Sequence, residues 1–251
     1  CKFWGRDPCF FGNAVLEEKL SVAIVYSVIV AVYNSENSLV QLVNRLKSAF
    51  IDLNIVEFIF VDDNSKDESW SVLNDLKLEN PSLIRLFRHS KNLGQHKALR
   101  SGFNHSIGQL IITIDDDLES LPEEIPKLIR SIETSNVDLV YGVSIFQEHT
   151  SLFWRIGSKY TKKAIGFLFN VPPVGSSFRV FERGLVSSSN YLSYRYFFID
   201  IVLLMFSVRS KWVTIKWSSE KASASGYSTW TKGLMVRDIF YTWLRLRFRH
   251  F

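Results

Sequence analysis

Residues 110–120 read LIITIDDDLES, three consecutive aspartates directly after a run of apolar, mostly β-branched side chains. Adjacent carboxylates repel one another, and burial makes their charge costlier still, so a counter-cation or cationic ligand is the natural compensation. In an extended chain Asp115 and Asp117 leave the same face, while Asp116 points away. Two hard oxygen donors on one side suit Mg2+ or Mn2+ that stays partly hydrated and is shared with a diphosphate. Such a metal stabilises charge on a leaving phosphate.

Two further polar clusters follow apolar runs: VYNSEN at 32–37 and VDDNS at 61–65. In an open parallel sheet, ligands bind beyond the carboxyl ends of the strands, so clusters at several strand ends converge on one crevice. Asp62 and Asp63 can accept hydrogen bonds from a base edge or a ribose hydroxyl, whereas Asn64 and Ser65 suit turn or cap contacts. Neither G-x-G-x-x-G nor G-x-x-x-x-G-K-[ST] occurs, so the phosphates need another support.

The elements that must position these residues are legible as alternation. Short β-branched runs predict strands at Tyr26–Tyr33, Val56–Asp62, Ile84–Arg88, Leu110–Ile114 and Asp138–Val143, with helices at 36–50, 67–79, 94–106 and 122–135 between them. Pro122, Pro126, Glu123 and Glu124 suit the opening of the last of these helices. The pattern predicts an α/β fold with a mostly parallel sheet flanked by helices in a single domain. After residue 150 come a helix through Trp154–Phe169, a break at Pro172 and Pro173, the segment GSSFRVFER, an apolar helix and a strand at 211–217. The small, polar run at 218–228 has the composition of a mobile loop.

Three segments are expected: an N-terminal extension at 1–22, a main domain at 23–230, and a basic amphipathic helix at 231–251. The main domain divides into a nucleotide half, about 23–145, and an acceptor half, about 146–230. The last segment groups Leu234, Ile239, Phe240, Trp243 and Leu244 beside Arg245, Arg247 and Arg249, which suits an anionic membrane surface.

Among 251 residues, 47% are hydrophobic, enough for a sizeable core and against disorder. The net charge of +5 fits an anionic partner but is too mild to argue for nucleic acid, which is not expected as a partner. Cys1 and Cys9 provide no disulfide framework, and the composition fits a reducing compartment. No signal-peptide pattern opens the chain, and the apolar runs Val22–Val32 and Phe197–Val208 are too short or interrupted to span a bilayer. The expected location is cytoplasmic, peripheral at the cytoplasmic membrane face.

Taken together, VIVAVYNSENSL, FIFVDDNSKDES, RHSKNLGQHKALRSGFNHSIGQLIITIDDDLESLPEEIPKLI and GSSFRVFER resemble the family 2 inverting glycosyltransferases of the GT-A fold. The likeness is to the branch that hands a sugar from a nucleotide donor to a polyprenyl phosphate, such as dolichyl-phosphate mannose synthases and undecaprenyl-phosphate aminoarabinose transferases. It covers about residues 26–230.

The resemblance implies that Ala31, Tyr33 and Glu36 line the nucleotide pocket, with Asp63 at the base or ribose. It makes Asp115 and Asp117 the pair holding Mg2+ or Mn2+ and the diphosphate, with Asp116 also in the nucleotide-sugar site. Gln95 and Lys97 border the donor, and Arg179 faces the acceptor phosphate or donor sugar. The implied donor is a UDP-, GDP- or dTDP-linked sugar.

Two departures stand out. The branch's late basic loop carries an arginine where Glu220 stands, leaving Lys221 to clamp the diphosphate as a point charge without the arginine fork. Some relatives place a carboxylate base where Ser177 stands, and Ser177 cannot replace it alone. A phosphate oxygen is already ionised at neutral pH, so the missing base favours a polyprenyl phosphate acceptor. The alternative is transfer to a hydroxyl of a cell-surface glycan or lipid-linked oligosaccharide, with Asp200 as general base; burial among aromatics would raise its pKa and suit that role. The processive Q-x-x-R-W signature is absent, so a single transfer is expected. A nucleotidyltransferase would carry a glycine-rich phosphate loop near the first strand, and a simple binding module would leave the second half unexplained.

Overall fold

The computed structural model describes residues 25–144, 176–187 and 199–218. The expected extension at 1–22, the helix through Trp154–Phe169, Lys221 with its loop and the helix at 231–251 lie outside the described residues.

Seven strands form one sheet: β1 (Tyr26–Val32), β2 (Val56–Asp62), β3 (Ile84–Arg88), β4 (Leu110–Thr113), β5 (Leu139–Ser144), β6 (Arg179–Glu182) and β7 (Ser210–Ile215). Their spatial order is β3-β2-β1-β4-β6-β5-β7. Pairing is parallel except at β6, which runs antiparallel to both β4 and β5. The helices are α1 (Leu39–Ala49), α2 (Ser69–Glu79), α3 (Gln95–His105), α4 (Ile125–Thr134), α5 (Gly184–Ser187) and α6 (Ile199–Phe206). The predicted helix at 122–135 divides into a 3-10 turn, Pro122–Glu124, and α4, because Pro126 has no N–H to continue a ladder but fits a first turn.

Alternation along the central strands feeds two apolar layers. Val28, Val30, Val32, Phe58, Phe60 and Ile112 face one side, where α1 presents Leu39, Leu42, Val43 and Leu46 at helical spacing and α4 presents Ile125, Leu128, Ile129 and Ile132. Ile29, Ile59, Val61, Ile111, Tyr141 and Phe181 face the other, against α3 and α6. The α3 contact is close, for a Cβ on Gly102 would lie 2.3 Å from Ile29 Cγ2. This three-layer packing fixes the strand ends from which the polar loops emerge. Among the described residues, no helix is long and apolar enough to cross a membrane.

Candidate active site

The loops after β1, β2 and β4 meet at the carboxyl edge of the sheet. Asn34 and Asn64 both adopt positive φ, 56° and 64°, a conformation that asparagine tolerates better than most residues. Their loops are stitched together: Asn34 N donates to Ser65 Oγ at 3.0 Å, Ser35 N to Ser69 Oγ at 2.8 Å, and Lys66 N to Asn34 Oδ1 at 2.8 Å. Glu36 belongs to the same seam, its carboxylate accepting from Glu68 N at 2.8 Å. Tyr33 stays half-exposed at the mouth, and Ala31, paired with Val61, is partly buried beneath it.

The aspartate triplet does not continue β4. Ladder pairing stops at Thr113, Asp116 and Asp117 lie in a turn, and Leu118 takes φ 62°. The extended-strand alternation expected for these residues therefore does not apply, although Asp115 and Asp116 still diverge. Asp116 turns toward the β1 loop, accepting from Tyr33 N at 3.1 Å and from the Ser35 hydroxyl, while Ser38 Oγ donates to its carbonyl at 2.5 Å. It braces that loop. Asp115 instead accepts from Gln95 Nε2 at 2.7 Å and from the Ser177 hydroxyl, and Asp117 accepts from Glu119 N at 3.0 Å.

Electrostatics mark this corner. Asp115 is pushed up to about 6, chiefly by lost hydration and further by Asp117, against hydrogen bonds from Ser177 and Gln95 and the charge of Arg179. Asp116 is pushed up to about 7 by the same loss of water, with repulsion from Asp115 and Asp117 added. Burial also raises Asp117, and burial with repulsion from Asp117 and Asp115 raises Glu119, a member of the cluster that sequence reading missed. Four neighbouring carboxyls whose charge is costly make a corner that a divalent cation would relieve. Asp115 and Asp117 would hold it, since each carboxylate oxygen has two lone pairs and one hydrogen bond leaves a second free. Among the described residues no group of three or more His, Cys, Asp or Glu forms a preset cage, so such an ion keeps water or diphosphate oxygens in its shell.

Asp63 is 3% exposed and serves the turn before α3. It accepts from His89 Nδ1 at 2.7 Å, from Leu93 N at 2.9 Å and from Gly94 N at 2.6 Å. Asp62 is wholly buried and pairs with Arg88 Nε at 2.8 Å, so it faces away from the crevice. Lys97 is partly buried in the first turn of α3.

Arg179 and Asp200 were expected as separate site residues, one facing the acceptor and one acting as a base. The structure couples them. Arg179 is 2% exposed, donates Nε to Thr113 Oγ1 at 2.9 Å and forms an ion pair with Asp200. The Tyr141 phenol lies beside both; burial, with Asp200 adding, holds it far above its usual range. Burial pulls against the Arg179 charge, but Asp200, Tyr141 and Asp115 outweigh it and raise its pKa. Ser177, two residues earlier, touches Asp115 and lends its carbonyl to the Thr113 hydroxyl. No spacing rule could reveal a pairing that joins β6 to α6 across the sheet.

A family model, glycosyl transferase family 2, matches residues 27–197. The chain is 32% identical over 210 residues to an undecaprenyl-phosphate 4-deoxy-4-formamido-L-arabinose transferase of Enterobacter sp. (strain 638), covering 80% of this chain and 62% of that protein. It is 33% identical over 211 residues to the protein of the same name from Yersinia enterocolitica, with the same coverage. The chain thus spans about 62% of the length of the curated relatives it matches. Its fold is that of two solved structures, each 16% identical. One is glucosyl-3-phosphoglycerate synthase from Mycobacterium tuberculosis, in complex with Mn2+, UDP and phosphoglyceric acid (TM-score 0.61; 89% of this chain, 78% of that one). The other is a mannosyltransferase from Pyrobaculum calidifontis in complex with GDP-Man and Mn2+ (TM-score 0.61; 88% and 64%).

Proposed function

The chain belongs to glycosyl transferase family 2, and on that premise we propose that it transfers a sugar, with inversion, from a nucleotide diphospho-sugar to a polyprenyl phosphate. The donor lies across the carboxyl edge of β1, β2 and β4, its nucleoside against Ala31, Tyr33 and the Asp63 side of the crevice. Asp115 and Asp117 would hold Mg2+ or Mn2+, whose charge would stabilise a departing diphosphate. Gln95 and Ser177 orient Asp115 from opposite sides. Lys97 and Lys221 are the cations proposed to stand near the diphosphate.

The observation that carries this reading is the contact of Ser177, next to the acceptor-side strand β6, with Asp115 at the end of β4. Donor and acceptor elements meet at one carboxylate. The state of the expected bases favours the phosphate acceptor. The Ser177 hydroxyl is engaged by Asp115, and Asp200 by Arg179, so neither stands free to deprotonate a sugar hydroxyl. A phosphate oxygen needs no such help. The names of the curated relatives support undecaprenyl phosphate as the acceptor class. The basic, aromatic sequence at 231–251 suits peripheral contact with an anionic membrane face, on the cytoplasmic side.

The test is a product screen by mass spectrometry, offering UDP-, GDP- and dTDP-sugars with Mn2+ to a short-chain polyprenyl phosphate and to an oligosaccharide side by side. Glycosylated polyprenyl phosphate is expected. Product on the oligosaccharide alone would overturn the acceptor assignment.

A further inference from the structure

His89 is the first residue after β3, and its ring is only 13% exposed. Its Nδ1 lies 2.7 Å from Asp63 Oδ1 and its Nε2 lies 2.8 Å from Ser101 Oγ. Ser101 is in the middle of α3, where helix geometry engages its backbone, so the Asp63–His89–Ser101 order serves position rather than nucleophilic attack. Asp63 also holds the amides of Leu93 and Gly94, the last two residues before α3. The next residue, Gln95, reaches Asp115 at 2.7 Å. The ends of β2 and β4 are thereby joined through the first turn of α3, and His89 is the piece that ties Asp63 to the body of the helix.

We propose that His89 is a positioning residue of the donor site: it fixes Asp63 against α3 through Ser101, and so sets both the nucleoside-side wall and the reach of Gln95 to Asp115. This rests on reading the crevice as a nucleotide diphospho-sugar site. The Leu93 and Gly94 amides tie Asp63 to the start of α3, and the imidazole, with a nitrogen on each side, adds a second tie at the middle of the helix through Ser101.

The test compares wild type with His89→Leu, His89→Asn and Ser101→Ala in two measurements. The first is hydrogen exchange at the Leu93 and Gly94 amides in ligand-free protein. The second is titration with UDP, GDP and dTDP in the presence of Mn2+. His89→Leu removes both imidazole hydrogen bonds and is expected to speed exchange at both amides and to weaken binding of the preferred nucleotide at least about fivefold. His89→Asn places its amide nitrogen near where Nδ1 stood but cannot reach Ser101, so it should recover only part of that affinity. Ser101→Ala should weaken binding to a smaller extent. A His89→Leu protein that binds nucleotide as wild type does overturns the proposal, whatever its melting temperature, as does unchanged exchange at Gly94. If wild type binds none of UDP, GDP and dTDP, the donor-site reading fails instead, and the exchange measurement alone judges the tie between Asp63 and α3.

Discussion

Arg179 and Asp200 form a buried ion pair, with side chains 2% and 11% exposed, that links the only antiparallel strand of the described sheet to α6. Thr113 on β4 receives the Arg179 Nε–H at 2.9 Å, so the guanidinium fastens three elements directly behind Asp115. Asp200→Asn leaves that buried cation without its counter-ion, which costs about 3–5 kcal/mol. A melting temperature lower by about 10 °C is expected for a chain of this size. The paired change Arg179→Met with Asp200→Leu should return most of it. If Asp200 were instead the base for a hydroxyl acceptor, Asp200→Asn would also abolish turnover on a hydroxyl acceptor, beyond its effect on the melting temperature.

Asp117→Ala should reduce Mn2+-dependent turnover by at least about 100-fold, since a bound metal supplies several kcal/mol of charge stabilisation. Circular dichroism should remain that of wild type, because the Asp117 side chain holds only the Glu119 amide among the bonds seen here. Asp116→Ala should behave differently. It loosens the loop carrying Tyr33 and Ser35, raising donor KM more than it lowers kcat.

The raised carboxyls make a signed pH prediction. Asp115 near 6 and Asp116 near 7 both lie above the ordinary carboxylate value, so the native state binds these protons more tightly than the unfolded chain does. Their contribution to stability is complete below about pH 4 and is lost as pH rises through 6 to 7. Mn2+ held by Asp115 and Asp117 would displace the Asp115 proton, so its affinity should rise over that window and its addition at neutral pH should restore part of the lost stability. Thermal melts from acid to neutral pH, with and without Mn2+, read this directly. Asp116→Asn should flatten the metal-free profile; an unchanged profile would contradict the assignment.

Gly94 precedes α3 at φ 90°, ψ 155°, a region essentially reserved for glycine. A Cβ there meets nothing within 4 Å, so the penalty in Gly94→Ala is backbone strain alone, about 1–3 kcal/mol. The strain falls on the turn whose amides bind Asp63. Weaker nucleotide binding is therefore expected together with a lower melting temperature, whereas Gly184→Ala, with equal space and no such φ, should change neither.

Much of the stretch from β1 to β5 was legible because its strands are β-branched runs and its helices carry apolar residues at helical spacing. Predicted and observed β2 and β3 coincide, and α1 to α3 differ from expectation by at most three residues at either end. The acidic cluster was legible as a type and misread as a geometry, since periodicity says nothing about where a ladder stops. The β4 ladder ends at Thr113, opposite Arg179, the first residue of β6, although β1 on its other side runs on to Val32. The roles of Asp63, Glu36 and Arg179 needed partners distant in sequence. His89 and Ser101 gave no local signal, one lying at a strand end and the other within a helix.

The placement of β6 has a consequence for biogenesis. Its residues follow β5 in the chain yet wedge between β4 and β5, with Arg179 reaching a partner 66 positions earlier. A nascent chain that has emerged only through β5 therefore lacks the wedge, and both flanking strands offer bare rims to any passing copy. Closure of the sheet between β4 and β5 waits on this later insertion. Truncations that end before residue 179 should accumulate as aggregates rather than as half-sized binders of nucleotide.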